Sequence, residues 1–454
     1  MLPRCPRRRR LFHRACLILA LLGADAAGIE LAVAAPLSYE DARTVLQSVS
    51  DLHKSGEAGV GRNQYEARAA DSLGLPEVSV SATQEFGSKT GSIPKTPLGT
   101  IDFHANLNGP RASVDSTWSI YTGGRITATQ RALAAGVDQA RAELTATEEQ
   151  LDLQLAQVYF GLELAANIER TRTSVLQQAD RQLERAVRFE QQGIMAKVER
   201  LNAQVSRDGA ARELARAQRD REIAQARLQR LLHRDVSSQP STPLFVITNA
   251  LKPLSEWLSL AEHQNPTLAA FDAKREQARQ GIVIAESRWK PEVFAFGSYA
   301  LIKHYLSLPE PNWIAGIGVK FTLFSPEDRA SKVGSAREGL RQVQTLQDET
   351  RNVIDTAVET SYRKVEQARE QFNLLDSTLA LARENLRLRE RGFDEGQATS
   401  LDVNDARNAL ARAETERAVA AYDFVVALAE LLQASGQARA LSEYVQLADI
   451  QLRP

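Results

Sequence analysis

The stretch Ala112-Ser113-Val114-Asp115-Ser116-Thr117-Trp118-Ser119-Ile120-Tyr121, with the proline-free run that follows it, decides how this chain reads. Ala112, Val114, Trp118 and Ile120 alternate with Ser113, Asp115, Thr117 and Ser119. A period of two puts apolar side chains on one face of a strand and polar ones on the other. No proline then occurs until Pro240, and Ala, Leu, Gln, Glu and Arg dominate. These are helix formers. A helix over about 126–192 would be roughly 100 Å long at 1.5 Å per residue, where compact domains use helices of roughly 8 to 20 residues. An ordinary globular fold is excluded by that length.

The same order returns further along. Trp313, Ala315, Ile317, Val319, Phe321 and Leu323 alternate with Gly316, Gly318, Lys320 and Thr322, and no proline separates Pro326 from Pro454. At an offset of 203 residues Trp118 meets Phe321, Tyr121 meets Phe324, Tyr159 meets Tyr362, Gly193 meets Gly396, Ala203 meets Ala406 and Leu228 meets Leu431. The chain is therefore an internal duplication. Pro76-Glu77-Val78 matches Pro291-Glu292-Val293 at an offset of 215, so the first copy carries 12 extra residues, assigned to a long loop within Gly87 to Pro110. Strands are expected at about 76–86, 111–122, 291–301 and 312–324. Helices are expected at about 126–192, 197–232, 328–391 and 401–432. Gly193 and Gly396 interrupt the helical runs and suit tight turns, because glycine tolerates positive φ. The expected organisation is a first repeat over 36–235, a second over 236–435 and a tail over 436–454.

Residues 1–34 read as an export signal: a basic segment (Arg4, Arg7 to Arg10, Arg14), an apolar run from Ala15 to Gly23, and cleavage after Ala32-Val33-Ala34, with Ala24-Asp25-Ala26 as the alternative. No later segment offers 18 consecutive apolar residues, so no transmembrane helix is expected. Across 454 residues, 56 Lys+Arg balance 57 Asp+Glu, and no net field points to nucleic acid. Cys5 and Cys16 lie in the signal, which excludes a disulfide framework and a Cys-based zinc site. The six histidines show no metal-ligand spacing, and neither a G-x-S-x-G elbow nor a Walker A sequence is present. No catalytic, cofactor or metal site is expected.

Four strands of this length match the roughly 9 to 11 residues that cross a bilayer as tilted β-structure. Yet the smallest common membrane barrel has about eight strands, and unpaired edges are not tolerated in lipid. One chain cannot close a barrel; a dimer would supply eight strands and a trimer twelve. The helical hairpins would then project to one side as a tube, as suits an exported protein of a bacterial outer membrane whose helices cross the periplasm.

Arg391-Gly392-Phe393-Asp394-Glu395-Gly396 followed by Leu401-Asp402-Val403-Asn404-Asp405-Ala406 resembles the second hairpin tip of the TolC-like outer membrane efflux protein family. Phe189, Gly193, Glu199, Leu201 and Ala203 are the matching elements of the first tip, and Asn265-Pro266 is similar to the family's N-P ahead of the second pair of strands. The resemblance spans about 36–435. It implies an α+β membrane channel-tunnel: a homotrimer with a 12-stranded β-barrel in outer membrane lipid and an α-helical barrel in the periplasm. It further implies docking of a periplasmic adaptor (membrane fusion protein) at tips carrying Gly193, Gly396, Phe189 and Phe393. Through the adaptor would come an inner-membrane RND or ABC transporter, for efflux or type I secretion. Asp402 and Asp405, with Glu199, fall where the family places the acidic ring of its periplasmic entrance. Asp402 and Asp405 also fit as acids favoured by a helix N-terminus. A tyrosine and an arginine of the family's closing network align with Phe393 and Ala398, so their hydroxyl and guanidinium are missing. The alternative reading is a periplasmic coiled-coil adaptor or scaffold without channel activity, which would need no matched pairs of membrane-length strands.

Overall fold

The computed structural model describes residues 37–96, 99–106, 108–233, 240–303 and 311–452. The expected signal over 1–34 and its cleavage sites lie outside the described residues.

Two short helices lead in, α1 (Tyr39–Val49) and α2 (Asp51–Asp71). Ser38 and Ser50 cap them by accepting from the backbone N–H of Asp41 and His53. Next come β1 (Glu77–Glu85), β2 (Ser88–Thr96), β3 (Gly99–Asn106) and β4 (Gly109–Tyr121), and then the long helices α3 (Arg125–Gln191) and α4 (Lys197–Leu231). The second half has β5 (Leu244–Val246), α5 (Leu254–Gln264), α6 (Pro266–Ser287), β6 (Glu292–Lys303), β7 (Trp313–Lys320), α7 (Arg329–Asp394) and α8 (Ser400–Ala434). The chain closes with α9 (Leu441–Gln446) and β8 (Ile450–Leu452). No described helix is long and apolar enough to cross a membrane.

Strands β1, β4, β6 and β7 form one antiparallel sheet in that order. Its register sorts the side chains by chemistry. Val80, Val114, Tyr299 and Trp313 form one row across all four strands, and Ser79, Asp115 and Ser298 lie in the next row on the opposite face. Val80, Trp313, Ile317 and Val319 are each about two-thirds exposed. So continuous an apolar face is not left to water; it is the outer surface of a membrane barrel. On the polar face the Asp115 carboxylate accepts from the hydroxyls of Ser298 at 2.7 Å, Ser113 at 2.7 Å and Ser81 at 3.2 Å. At one rim the Trp118 indole donates to the Gly74 carbonyl at 2.8 Å.

Two sequence expectations are corrected. The stretch Gly87 to Pro110, read as a long loop, holds the β2–β3 hairpin, which prolongs the β1/β4 ribbon; the Gly and Pro residues of this polar sequence read as turn signals. The last strand, expected to reach 324, ends at Lys320. Lys320 pairs with Glu292, the first residue of β6, so residues 321–324 have no partner strand. The weak alternation of β6 also has a cause. Phe294 and Phe296 lie opposite Gly318 and Gly316, and a Cβ on those glycines would come within 2.5 and 3.0 Å of the rings. Two rings on the face that carries Asp115 thus cover the backbone of the neighbouring strand.

Helix α3 packs against α2, α4, α6 and α8, and α7 packs against α5, α6 and α8. Ion pairs at matching levels align the antiparallel pairs: Arg200–Glu190, Arg207–Asp180 and Arg221–Glu169 between α3 and α4, and Arg417–Asp376 and Lys364–Glu430 between α7 and α8. Exposed pairs of this kind contribute roughly 0–1 kcal/mol each. Partway along the long helices a belt holds the main core, in which Tyr39, Tyr159, Phe160, Phe245 and Phe424 touch ring to ring and Trp257 is fully buried. Strand β8 pairs with β5 against this belt. Asn265, with Pro266 behind it, caps α6 through the Thr267 N–H and donates to the Ala434 carbonyl at the end of α8.

The belt also buries charge. Arg43 donates from Nε to both oxygens of Asp152 at 3.1 Å. Beside that pair burial pushes the Glu149 carboxyl up to about 8, and further along α3 it pushes Glu163 up to about 7.

Candidate functional site

Each long helical pair reverses at a glycine in the left-handed region, Gly193 with φ +71° and Gly396 with φ +74°. Both turns close with the same hydrogen bonds. The Gly193 N–H donates to Glu190 O and the Ile194 N–H to Phe189 O; the Gly396 N–H donates to Phe393 O and the Gln397 N–H to Gly392 O. This is the Schellman arrangement, which needs positive φ after the last helical residue. The sequence offset of 203 residues therefore relates two turns of identical construction.

The two tips lie against each other within one protomer. The Phe189 and Phe393 rings meet with centroids 6.2 Å apart. Around them Leu386, Val403 and Ala406 form a small core with Met195, Ala398 and Leu410. Two polar contacts reinforce it, and a third charged group is buried beside it. Arg185 Nη1 reaches both oxygens of Asp394 at 3.0 and 3.2 Å. Glu199 Oε2 accepts from the Ser400 N–H at 2.9 Å, so an acid of the first tip satisfies an open N–H in the first turn of α8. The Arg407 guanidinium, only 2% exposed, lies 3.8 Å from Glu390. Burial lowers the pKa of that guanidinium.

Asp402 is occupied at the start of α8. Its Oδ2 accepts from the Thr399 N–H at 2.9 Å and the Thr399 hydroxyl at 2.7 Å, while that hydroxyl accepts from the Asp402 N–H, a reciprocal capping box. Hydrogen bonds from Thr399 hold this carboxyl below the usual range. Arg389 approaches the other oxygen at 3.5 Å. Asp405, one turn on, is exposed and has no partner among the described residues. The structure thus brings Glu199, Asp402, Phe189 and Phe393 into one assembly, with Gly193 and Gly396 as its turns, and leaves Asp405 projecting from it. Arg185, Asp394 and Arg407 were not singled out by sequence; Asp394 lies inside the Arg391–Gly396 motif and Arg407 directly follows Ala406, but only the fold reveals their partners. No group of residues suited to a metal ion occurs among the described residues.

A four-stranded sheet with a lipid-type face, open at both edges, carried on helical hairpins roughly 100 Å long, is one protomer of an outer membrane channel-tunnel. The model of the family described as outer membrane efflux protein matches residues 43–233 and 257–437, and the chain belongs to that family. It is 24% identical over 309 residues to the outer membrane protein TolC of Vibrio cholerae, covering 66% of this chain and 70% of the relative. Among solved structures, the CmeC outer membrane channel of Campylobacter jejuni superposes with a TM-score of 0.72 at 14% identity, covering 91% of this chain and 90% of the other. The open state of the MtrE outer membrane channel of Neisseria gonorrhoeae gives 0.71 at 18% identity, covering 88% and 89%. The protein is an outer membrane channel of Gram-negative tripartite efflux, of a family whose members are homotrimers working with adaptors and inner-membrane pumps.

Proposed function

We propose that the paired tips form the periplasmic entrance of the channel and the surface that an adaptor grips, and that Asp405 is the acid that sets ion preference there. Cargo passes passively, driven by an RND or ABC transporter joined through the adaptor. The observation that carries this reading is the difference between two neighbouring acids: Asp402 is held by Thr399 in a cap, whereas Asp405 projects with its carboxylate uncommitted. Threefold symmetry multiplies each acid into a ring, and a ring of carboxylates at a constriction focuses a potential that favours cations. Glu199 is engaged with the Ser400 N–H and serves the shape of the entrance more than its charge.

Planar-bilayer recording of the detergent-purified protein, with its oligomeric mass measured on the same sample, tests the assignment. Cation-selective channels from a trimer, with selectivity and divalent block weakened in Asp405→Asn, are expected. Unchanged selectivity in that variant overturns the role of Asp405, and a silent trimer overturns the conduit.

A further inference from the structure

The interface between the two hairpins is unevenly satisfied along its length. Twelve buried side-chain nitrogen and oxygen atoms among the described residues have no hydrogen-bond partner, and seven of them belong to Gln178, Gln182, Arg185, Ser400 and Arg407, near the tips. Arg407 stands out. Its Nε and Nη2 are unpartnered, its nearest carboxylate is Glu390 at 3.8 Å on α7, and the guanidinia of Arg181 and Arg185 on α3 repel it. Gln182, 3% exposed on α3, has neither amide atom satisfied. A buried charge without full hydrogen bonding is unfavourable, and replacing such a group by an apolar one of similar size commonly stabilises a protein.

From this we infer that the packed arrangement of the two tips is metastable and that Arg407 is the residue that biases the hairpins toward separation. Against it stand the Phe189–Phe393 contact, the Arg185–Asp394 pair and the Glu199 cap on Ser400, all of which cross between the hairpins. When α8 moves away from α3, the guanidinium gains water, and the repulsion from Arg181 and Arg185 falls. The tip is a two-state element balanced by one buried cation. The inference rests on the reading of the tips as the channel entrance.

Two variants with opposite expected signs test it. Arg407→Met keeps the volume and removes the charge, so it favours the packed state; Glu390→Gln removes the carboxylate that lies 3.8 Å away and leaves the cation less compensated, so it favours separation. In planar bilayers the time-averaged conductance of trimers is expected to fall about tenfold in Arg407→Met and to rise several-fold in Glu390→Gln. The double variant should behave as Arg407→Met does, because without the cation Glu390 has nothing to compensate. Variants that both raise conductance, as general loosening of the tip would, or that both leave a conducting wild type unchanged, overturn the role of Arg407. A wild-type trimer that never conducts overturns the entrance reading instead.

Discussion

Replacing Glu149 with Gln tests the charge buried in the belt. Glu149 is 5% exposed, its Oε2 has no hydrogen-bond partner, and its carboxyl accepts from the Ala438 N–H of the C-terminal segment. Asp152 and Glu148 add like charge, while Arg439 offsets part of it. Desolvation is the largest cause that lifts the group from 4.5 to about 8. Between those values the folded protein holds a proton that the unfolded chain has released, so stability falls as pH rises. The stability tied to the neutral carboxyl is fully present below about 4.5 and is lost as pH rises through about 8. At 1.36 kcal/mol per unit the whole shift corresponds to about 5 kcal/mol per protomer, of which about 3–4 kcal/mol falls between pH 5 and pH 8. Glutamine keeps the shape and an acceptor for Ala438 and does not titrate. Denaturant unfolding of detergent-solubilised trimer should therefore show the wild type losing about 3 kcal/mol more than Glu149→Gln from pH 5 to pH 8. Parallel pH profiles for the two proteins would refute the reasoning.

Other perturbations separate shape from charge at the tips and in the sheet. Glu199→Ala removes an acceptor from the first turn of α8 and should cost about 0.5–2 kcal/mol, with faster hydrogen exchange at Ser400 while the belt stays protected. Asp402→Ala should cost about 1 kcal/mol through its capping box, whereas exposed Asp405→Ala should leave unfolding unchanged and alter ion selectivity alone. Gly318→Ala should force the Phe294 ring off the strand and lower the heat resistance of the trimer by about 1–2 kcal/mol, with Phe294→Ala restoring part of it. Trimming the β2–β3 hairpin should leave trimers intact on native gels, because those strands lie outside the four-stranded sheet.

Much of the fold was legible because its signals are local. Alternation in Ala112 to Tyr121 and in Trp313 to Val319 marks a two-faced strand wherever it sits. A proline-free run rich in Ala, Leu, Glu and Arg marks a helix whatever surrounds it. Signals failed where a neighbour supplied the reason. Phe294 and Phe296 blur the alternation of β6 because they cover Gly318 and Gly316 of β7, and the Gly87 to Pro110 segment hides two strands because its Gly and Pro residues read locally as turns.

At the tips the division is sharper. Gly193 and Gly396 announce their turns by residue type, since a left-handed φ favours glycine over any other residue. The roles of the acids were not readable, because Glu199 and Ser400 stand 201 residues apart and meet only once both hairpins have formed and packed. Asp402 and Asp405 look equivalent in the motif, yet the helix start takes up one and leaves the other projecting. By itself the sequence determined the long helices, the strands that alternate and the apolar face they share, because these follow from periodicity and backbone preference within a few residues. Only the tertiary structure decided which acid is committed, which arginine is buried with nitrogens left unbonded and how the two tips hold each other, because each of those depends on distances between separate helices that no local pattern encodes.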